Sequence, residues 1–222
     1  MRGSDPHGGQ GVAAFGRRPE EASAAVILVH GRGATAESML GLAQPLGHAD
    51  EVAFLAPQAA GHSWYPYSFL APLDKNEPHL SSALGVLERL VAGLEQRGVA
   101  RERIVLAGFS QGACLASEYA ARHARRWGGV AAFTGGLLGP EGTPREYQGD
   151  FAGTPVYLGS GDPDPHVPWK RVEESAAVFQ RLGAEVTARR FPGMPHTVND
   201  EEVGWLRDLL AGLTGPERQQ GA

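Results

Sequence analysis

The stretch Ile104-Val105-Leu106-Ala107-Gly108-Phe109-Ser110-Gln111-Gly112-Ala113-Cys114 constrains this chain more than any other. It opens as a short apolar, β-prone run and closes into Leu115-Ala116-Ser117-Glu118-Tyr119-Ala120-Ala121, rich in helix formers. A strand must therefore reverse into a helix within about three residues, with Ser110 at the apex. Gly108 and Gly112, two before and two after, let strand and helix backbones approach without Cβ clashes. A G-x-S-x-G string arises by chance roughly 0.2 times in a chain like this, so the string alone is weak. Its strand and helix flanks are the context that a nucleophile elbow requires.

Length and composition bound the rest. A chain of 222 residues is most simply one domain with a full core. Its net charge of −5, without a basic cluster, argues against a nucleic-acid partner. No apolar run is long enough to span a bilayer, and no signal-peptide core precedes the first strand. The single Cys114 has no partner within the chain for a disulfide. These features lead us to expect a cytoplasmic protein.

The periodicity alternates strand and helix. Residues 1–21 read as a flexible leader, of which Met1-Arg2-Gly3-Ser4 need not be native. Ala24–Val29 is a continuous apolar run, as a strand covered on both faces would be, and it ends in His30-Gly31-Arg32-Gly33. Thr35-Ala36-Glu37-Ser38 starts a helix. Val52–Ala56 is a second strand, closed by Pro57. From Ala59 to Pro78 runs a long segment bearing Trp64, Tyr65, Tyr67 and Phe69, with no helical or strand period. It reads as an ordered loop whose aromatics either line a site or pack the loop onto the body. Leu80–Arg97 is an amphipathic helix stopped by Gly98. After the elbow come a strand at Gly129–Thr134, a strand at Pro155–Ser160, a helix at about Trp169–Leu182 and a strand at Glu185–Phe191. A last helix covers about Asn199–Leu213, within a single domain of residues 22–215, and the tail 216–222 frays. The pattern implies an α/β fold, a mainly parallel sheet with helices on both faces and chemistry at the carboxyl ends of its strands.

A serine hydroxyl needs a base to take its proton and a third group to orient that base. In chain order after Ser110, an acid should follow one strand and a histidine a later one. Asp162 and Asp164 follow the Pro155–Ser160 strand, and His196 follows the Glu185–Phe191 strand. On position alone the two aspartates are alternatives. The other would cap a turn or the helix near Trp169. His166 lies too near the acid to come from a separate strand end, and His48, His62 and His79 precede the elbow.

With those residues in place, the chain resembles the carboxylesterase, phospholipase and acyl-protein thioesterase family of small α/β-hydrolases without a large lid domain. The resemblance rests on His30-Gly31-x-Gly33, Ala56-Pro57-Gln58, Ser63-Trp64-Tyr65, Gly108-Phe109-Ser110-Gln111-Gly112, Asp164-x-x-Val167-Pro168 and Gly193-Met194-Pro195-His196. These motifs stand in order from about residue 24 to 213. The resemblance implies Ser110 as nucleophile, His196 as base and Asp164, rather than Asp162, as acid. It implies an oxyanion hole made by the backbone N–H groups of Arg32 and Gln111, and no cofactor or metal. The implied partner is a small-molecule ester substrate, and the protein is expected to have no membrane span and to be a monomer or homodimer.

One departure bears on substrate. Many relatives carry an apolar residue, often Leu, where this chain has Arg32. A guanidinium at the pocket disfavours a long alkyl chain and pairs with an anionic group; pointed at solvent, it does neither. With Trp64 and Tyr65 in the pocket wall, the expectation is a serine carboxylesterase for short or polar acyl esters. A thioesterase or lysophospholipase acting on longer chains is the alternative within the fold. An inactive small-ligand-binding module is the alternative of another class. Cys114, one helical turn past Ser110, reads as a small buried packing residue.

Overall fold

The computed structural model describes residues 5–215. The expectations for residues 1–4 and for the tail 216–222 lie outside that range. Seven strands form one sheet in the order β1-β3-β2-β4-β5-β6-β7. They are β1 (Val12–Gly16), β2 (Ala24–Val29), β3 (Val52–Pro57), β4 (Ile104–Phe109), β5 (Gly129–Phe133), β6 (Pro155–Asp162) and β7 (Glu185–Pro192). Every pairing is parallel except β1 with β3. The helices are α1 (Ala36–Leu46), α2 (His79–Gln96), α3 (Gln111–Arg122), α4 (Trp169–Arg181) and α5 (Asp200–Thr214).

The unbroken apolar run of β2 has a direct cause. Ala25, Ile27 and Val29 face a core built with α2, α3 and α4. Ala24, Val26 and Leu28 face a second core built with α1 and α5. With both faces covered, every residue of the strand is buried, so alternation with polar residues is absent. The edge strand β7 is largely exposed and carries Glu185, Arg189 and Arg190, charges that discourage pairing with another sheet.

The N-terminal segment corrects the sequence reading. Expected as a leader outside the domain, it supplies β1, which pairs with β3 from Val12↔Pro57 to Gly16↔Ala53. It also supplies His7, which is 2% exposed and packs beside Trp64. The misreading has a physical reason. An edge strand of which only Ala13 is even half-buried, preceded by Gly8, Gly9 and Gly11, shows little periodicity.

The parallel pairings bring six strand ends to one edge, among them that of β3, which leads into the aromatic loop. The turn His30–Gly33 follows β2, Ser110 follows β4, Thr134 follows β5, the 162–168 loop follows β6, and the 193–199 loop follows β7. Among the described residues, no inserted domain covers that edge and no helix is long and apolar enough to cross a membrane.

Candidate active site

Ser110 sits between β4 and α3 at φ 54°, ψ −117°, a left-handed conformation that a residue with a Cβ rarely adopts. Two close approaches enforce it. A Cβ on Gly108 would lie 2.5 Å from the Gly112 carbonyl carbon, and one on Gly112 would lie 2.1 Å from the Val29 oxygen. The turn therefore presses α3 against both its own strand and β2, and the strain is held in place by hydrogen bonds from Ser110 N to Phe133 O (3.0 Å) and from Cys114 N to Ser110 O (3.0 Å).

His196 and Asp164 meet Ser110 from two other strand ends. The Ser110 hydroxyl lies 2.8 Å from His196 Nε2, and His196 Nδ1 lies 2.8 Å from Asp164 Oδ2. A carboxylate can only accept here, so Nδ1 carries the proton and Nε2 is left to accept from the serine. Burial alone would push the Asp164 carboxyl up. The N–H groups of Val167 and His166, each 2.8 Å from Oδ1, together with His196 outweigh it and hold the carboxyl below the usual range. Asp162 points elsewhere and pairs with Arg190 on β7. The His196 ring is flanked by Phe109, at 5.0 Å between centroids, and meets His166 edge-on at 4.8 Å.

Two residues lining the same cavity carry uncommitted backbone donors. Among the described residues the N–H of Arg32 meets no acceptor in the protein, and that of Gln111 opens α3, where no preceding turn can accept it. The turn bearing Arg32 is fixed from behind. His30 Nδ1–H donates to Gly31 O (2.7 Å), and Ala59 N donates to His30 Nε2 (3.0 Å). Burial lowers the pKa of His30, which favours the neutral imidazole those two bonds need.

These groups line a cavity of about 700 Å³. Its wall includes Tyr65, Tyr67, Phe69 and Leu70 of the aromatic loop, with Val167 and His166 opposite. Cys114, itself buried, also lines it, and burial pushes its thiol up to about 12, so it stays protonated and unreactive at neutral pH.

Three expectations change here. Trp64, expected in the wall, does not line the cavity. It is fully buried against His30 and His7, with Nε1–H donating to His30 O (2.9 Å). Arg32 is exposed, yet its guanidinium is neither free in solvent nor open to a ligand. Its Nη1 donates to Ser63 Oγ (2.9 Å) and Pro66 O (3.1 Å), and its Nη2 to Tyr65 O (2.9 Å) and Tyr67 O (2.9 Å). His166, passed over as a base, belongs to the site as a wall residue. The Asp164-x-x-Val167-Pro168 run was the available signal for it, since a loop that brings in the acid also brings in its neighbours.

Residues 14–213 match the family model described as phospholipase/carboxylesterase. The chain is similar to a phospholipase/carboxylesterase from Dyadobacter fermentans, whose crystal structure superposes with a TM-score of 0.86 at 45% identity, covering 90% of this chain and 96% of the other. It is 30% identical over 208 residues to acyl-protein thioesterase 1 of Saccharomyces cerevisiae, covering 84% of this chain and 89% of the relative. It is 28% identical over 212 residues to acyl-protein thioesterase 1 of Gibberella zeae, covering 85% and 89%.

Proposed function

The chain belongs to the phospholipase/carboxylesterase family and is a serine hydrolase of the α/β-hydrolase fold, and we propose that it is a carboxylesterase acting on short or polar acyl esters through a Ser110–His196–Asp164 triad. The observation that carries the reading is the hydrogen-bonded chain Ser110–His196–Asp164, at 2.8 Å and 2.8 Å, beside two uncommitted backbone N–H groups.

In this reading Ser110 Oγ attacks the acyl carbon while its proton passes to His196 Nε2. The carbonyl π pair moves onto oxygen, where the Arg32 and Gln111 N–H groups donate to it. Asp164 holds the His196 tautomer and stabilises the imidazolium. The tetrahedral intermediate collapses as the C–O bond to the alcohol breaks, and the alcohol oxygen takes the proton from His196. Water then repeats the sequence on the acyl-enzyme and releases the acid.

Three features support a short or polar acyl group. Buried Tyr65 and Cys114 are part of the cavity lining, the wall mixes aromatic groups with His166 and Ser68, and no lid extends it among the described residues. The part of the sequence argument that rested on Arg32 as an anion receptor loses its basis, because both terminal nitrogens are committed to loop acceptors.

Turnover of p-nitrophenyl esters from acetate to palmitate, with matched S-acyl thioesters in parallel, tests the proposal. We expect a maximum at short oxygen esters, lost by roughly 10⁴-fold or more in Ser110→Ala. A maximum at long chains or at thioesters moves the assignment to the thioesterase activity named for the fungal relatives.

A further inference from the structure

The aromatic loop has no regular secondary structure from Ser63 to Tyr67, yet its backbone is not left to solvent. Every carbonyl from Trp64 to Tyr67 accepts a side-chain hydrogen bond. Trp64 O takes His7 Nε2–H (2.9 Å), while Tyr65 O, Pro66 O and Tyr67 O take the Arg32 guanidinium. The Gln111 amide holds the same loop, accepting from Trp64 N (2.8 Å) and donating to Tyr65 O (2.8 Å). Arg32 and Gln111 both line the cavity beside Ser110 and carry the two uncommitted backbone N–H groups. Both reach one carbonyl, that of Tyr65, with their side chains.

We propose that the 63–67 loop braces the oxyanion site and that the Arg32 side chain is a positioning residue for the reaction, a proposal that rests on the carboxylesterase reading above. The two donors differ in stiffness. Gln111 N is fixed by α3, whereas Arg32 N belongs to a turn between Gly31 and Gly33, whose own backbone bonds are Gly33 N to His62 O (2.7 Å) and Ala34 N to Gly31 O (3.2 Å). The His30 bonds fix the start of that turn, but Gly33, at φ 78° with open space around it, leaves the far side less constrained than a helix. The guanidinium ties it to the acceptor that Gln111 also grips, so the spacing of the two N–H groups is set through Tyr65 O. Donors held in advance need no reorganisation when negative charge develops on the substrate oxygen, which is where such sites gain rate.

The brace and an anion receptor predict different kinetics. Wild type, Arg32→Met, Gln111→Met and the double variant are compared on p-nitrophenyl acetate and on the anionic mono-p-nitrophenyl succinate, with folding checked by thermal melts. The brace predicts that Arg32→Met lowers kcat roughly 10- to 100-fold on both esters while KM stays within about twofold. It predicts matching loss of affinity for a trifluoromethyl ketone, which forms a tetrahedral oxyanion on Ser110. Because the side chains share Tyr65 O, the double variant should lose less than the product of the single losses. Should Arg32→Met fail to fold, Arg32→Lys keeps the charge but reaches fewer of the four acceptors, and the same comparison applies at a smaller loss. Unchanged kcat on the acetate, or a loss confined to KM for the succinate, overturns the brace. Retained turnover in Ser110→Ala would instead overturn the reading of the site, so the two failures are distinguishable.

Discussion

At the scale of single residues, the site is a set of protonation states fixed by neighbours. Asp164 accepts two backbone N–H groups and one imidazole N–H, all at 2.8 Å, so it stays ionised and fixes the histidine tautomer. Asp164→Asn keeps the shape but offers an amide where a pure acceptor is needed. We expect kcat to fall by about 10⁴-fold with little change in melting temperature, measured on a short-chain ester. Gly112 makes a different kind of demand. A Cβ there would press on the Val29 carbonyl, which belongs to a central buried strand and cannot yield cheaply. Gly112→Ala should cost at least ~2 kcal/mol in urea denaturation and lower activity, because relief would have to move α3 and Ser110 together.

Among the elements, the N-terminal segment and the aromatic loop behave as one unit. His7 Nε2–H donates to Trp64 O, its Nδ1 accepts from Ala60 N (3.1 Å), and its backbone N–H donates to Ser82 Oγ (2.9 Å). Removing the imidazole leaves a buried carbonyl and a loop N–H without partners. His7→Ala should cost about 1–3 kcal/mol by denaturant titration, more than its few side-chain atoms suggest. If the loop supports the oxyanion donors as proposed, kcat on the acetate should fall as well. Unchanged kcat in a destabilised His7→Ala would confine the effect to stability. The sequence concealed this unit because β1 is an edge strand and the loop has no period, and both owe their order to contacts distant in the chain.

For the whole molecule, pH sets two opposing terms. Burial lowers the pKa of His7 and His30, so the folded state keeps both neutral. Their contribution is complete above the unfolded value of about 6.5 and is lost as pH falls below it, at up to about 1.4 kcal/mol per pH unit for each. Glu202 acts the other way. Burial pushes its carboxyl up to about 7, against the single backbone N–H of Asn199 that favours the charged form. The folded state therefore holds a proton on Glu202 that the unfolded chain releases above about 4.5, and stability from this group rises as pH falls from 7 toward 4.5. Glu202 offsets part of the histidine loss. Urea titrations between pH 7 and 5 should show a shallow decline in wild type and a steeper one in Glu202→Gln. A parallel pair of curves would mean that Glu202 is not protonated in the folded state.

What the sequence determined by itself was whatever is local or periodic. The continuous apolar strands, the amphipathic helices and the Gly108-x-Ser110-x-Gly112 turn each carry their cause within about ten residues, so their positions were legible. So was the order of Ser110, an aspartate and His196 along strand ends, because a parallel sheet gathers those ends on one edge. The tertiary structure decided what depends on where side chains point once that edge is assembled. It placed Asp164 against His196 and turned Asp162 to Arg190. It buried Trp64 behind the site, wove His7 into the loop, and committed the Arg32 guanidinium to four acceptors 31 to 35 residues away. The physical reason is the same in each case. A polar group's partner is chosen by geometry and by the cost of leaving a buried donor or acceptor unpaired, and neither quantity is written in the spacing of residues along the chain.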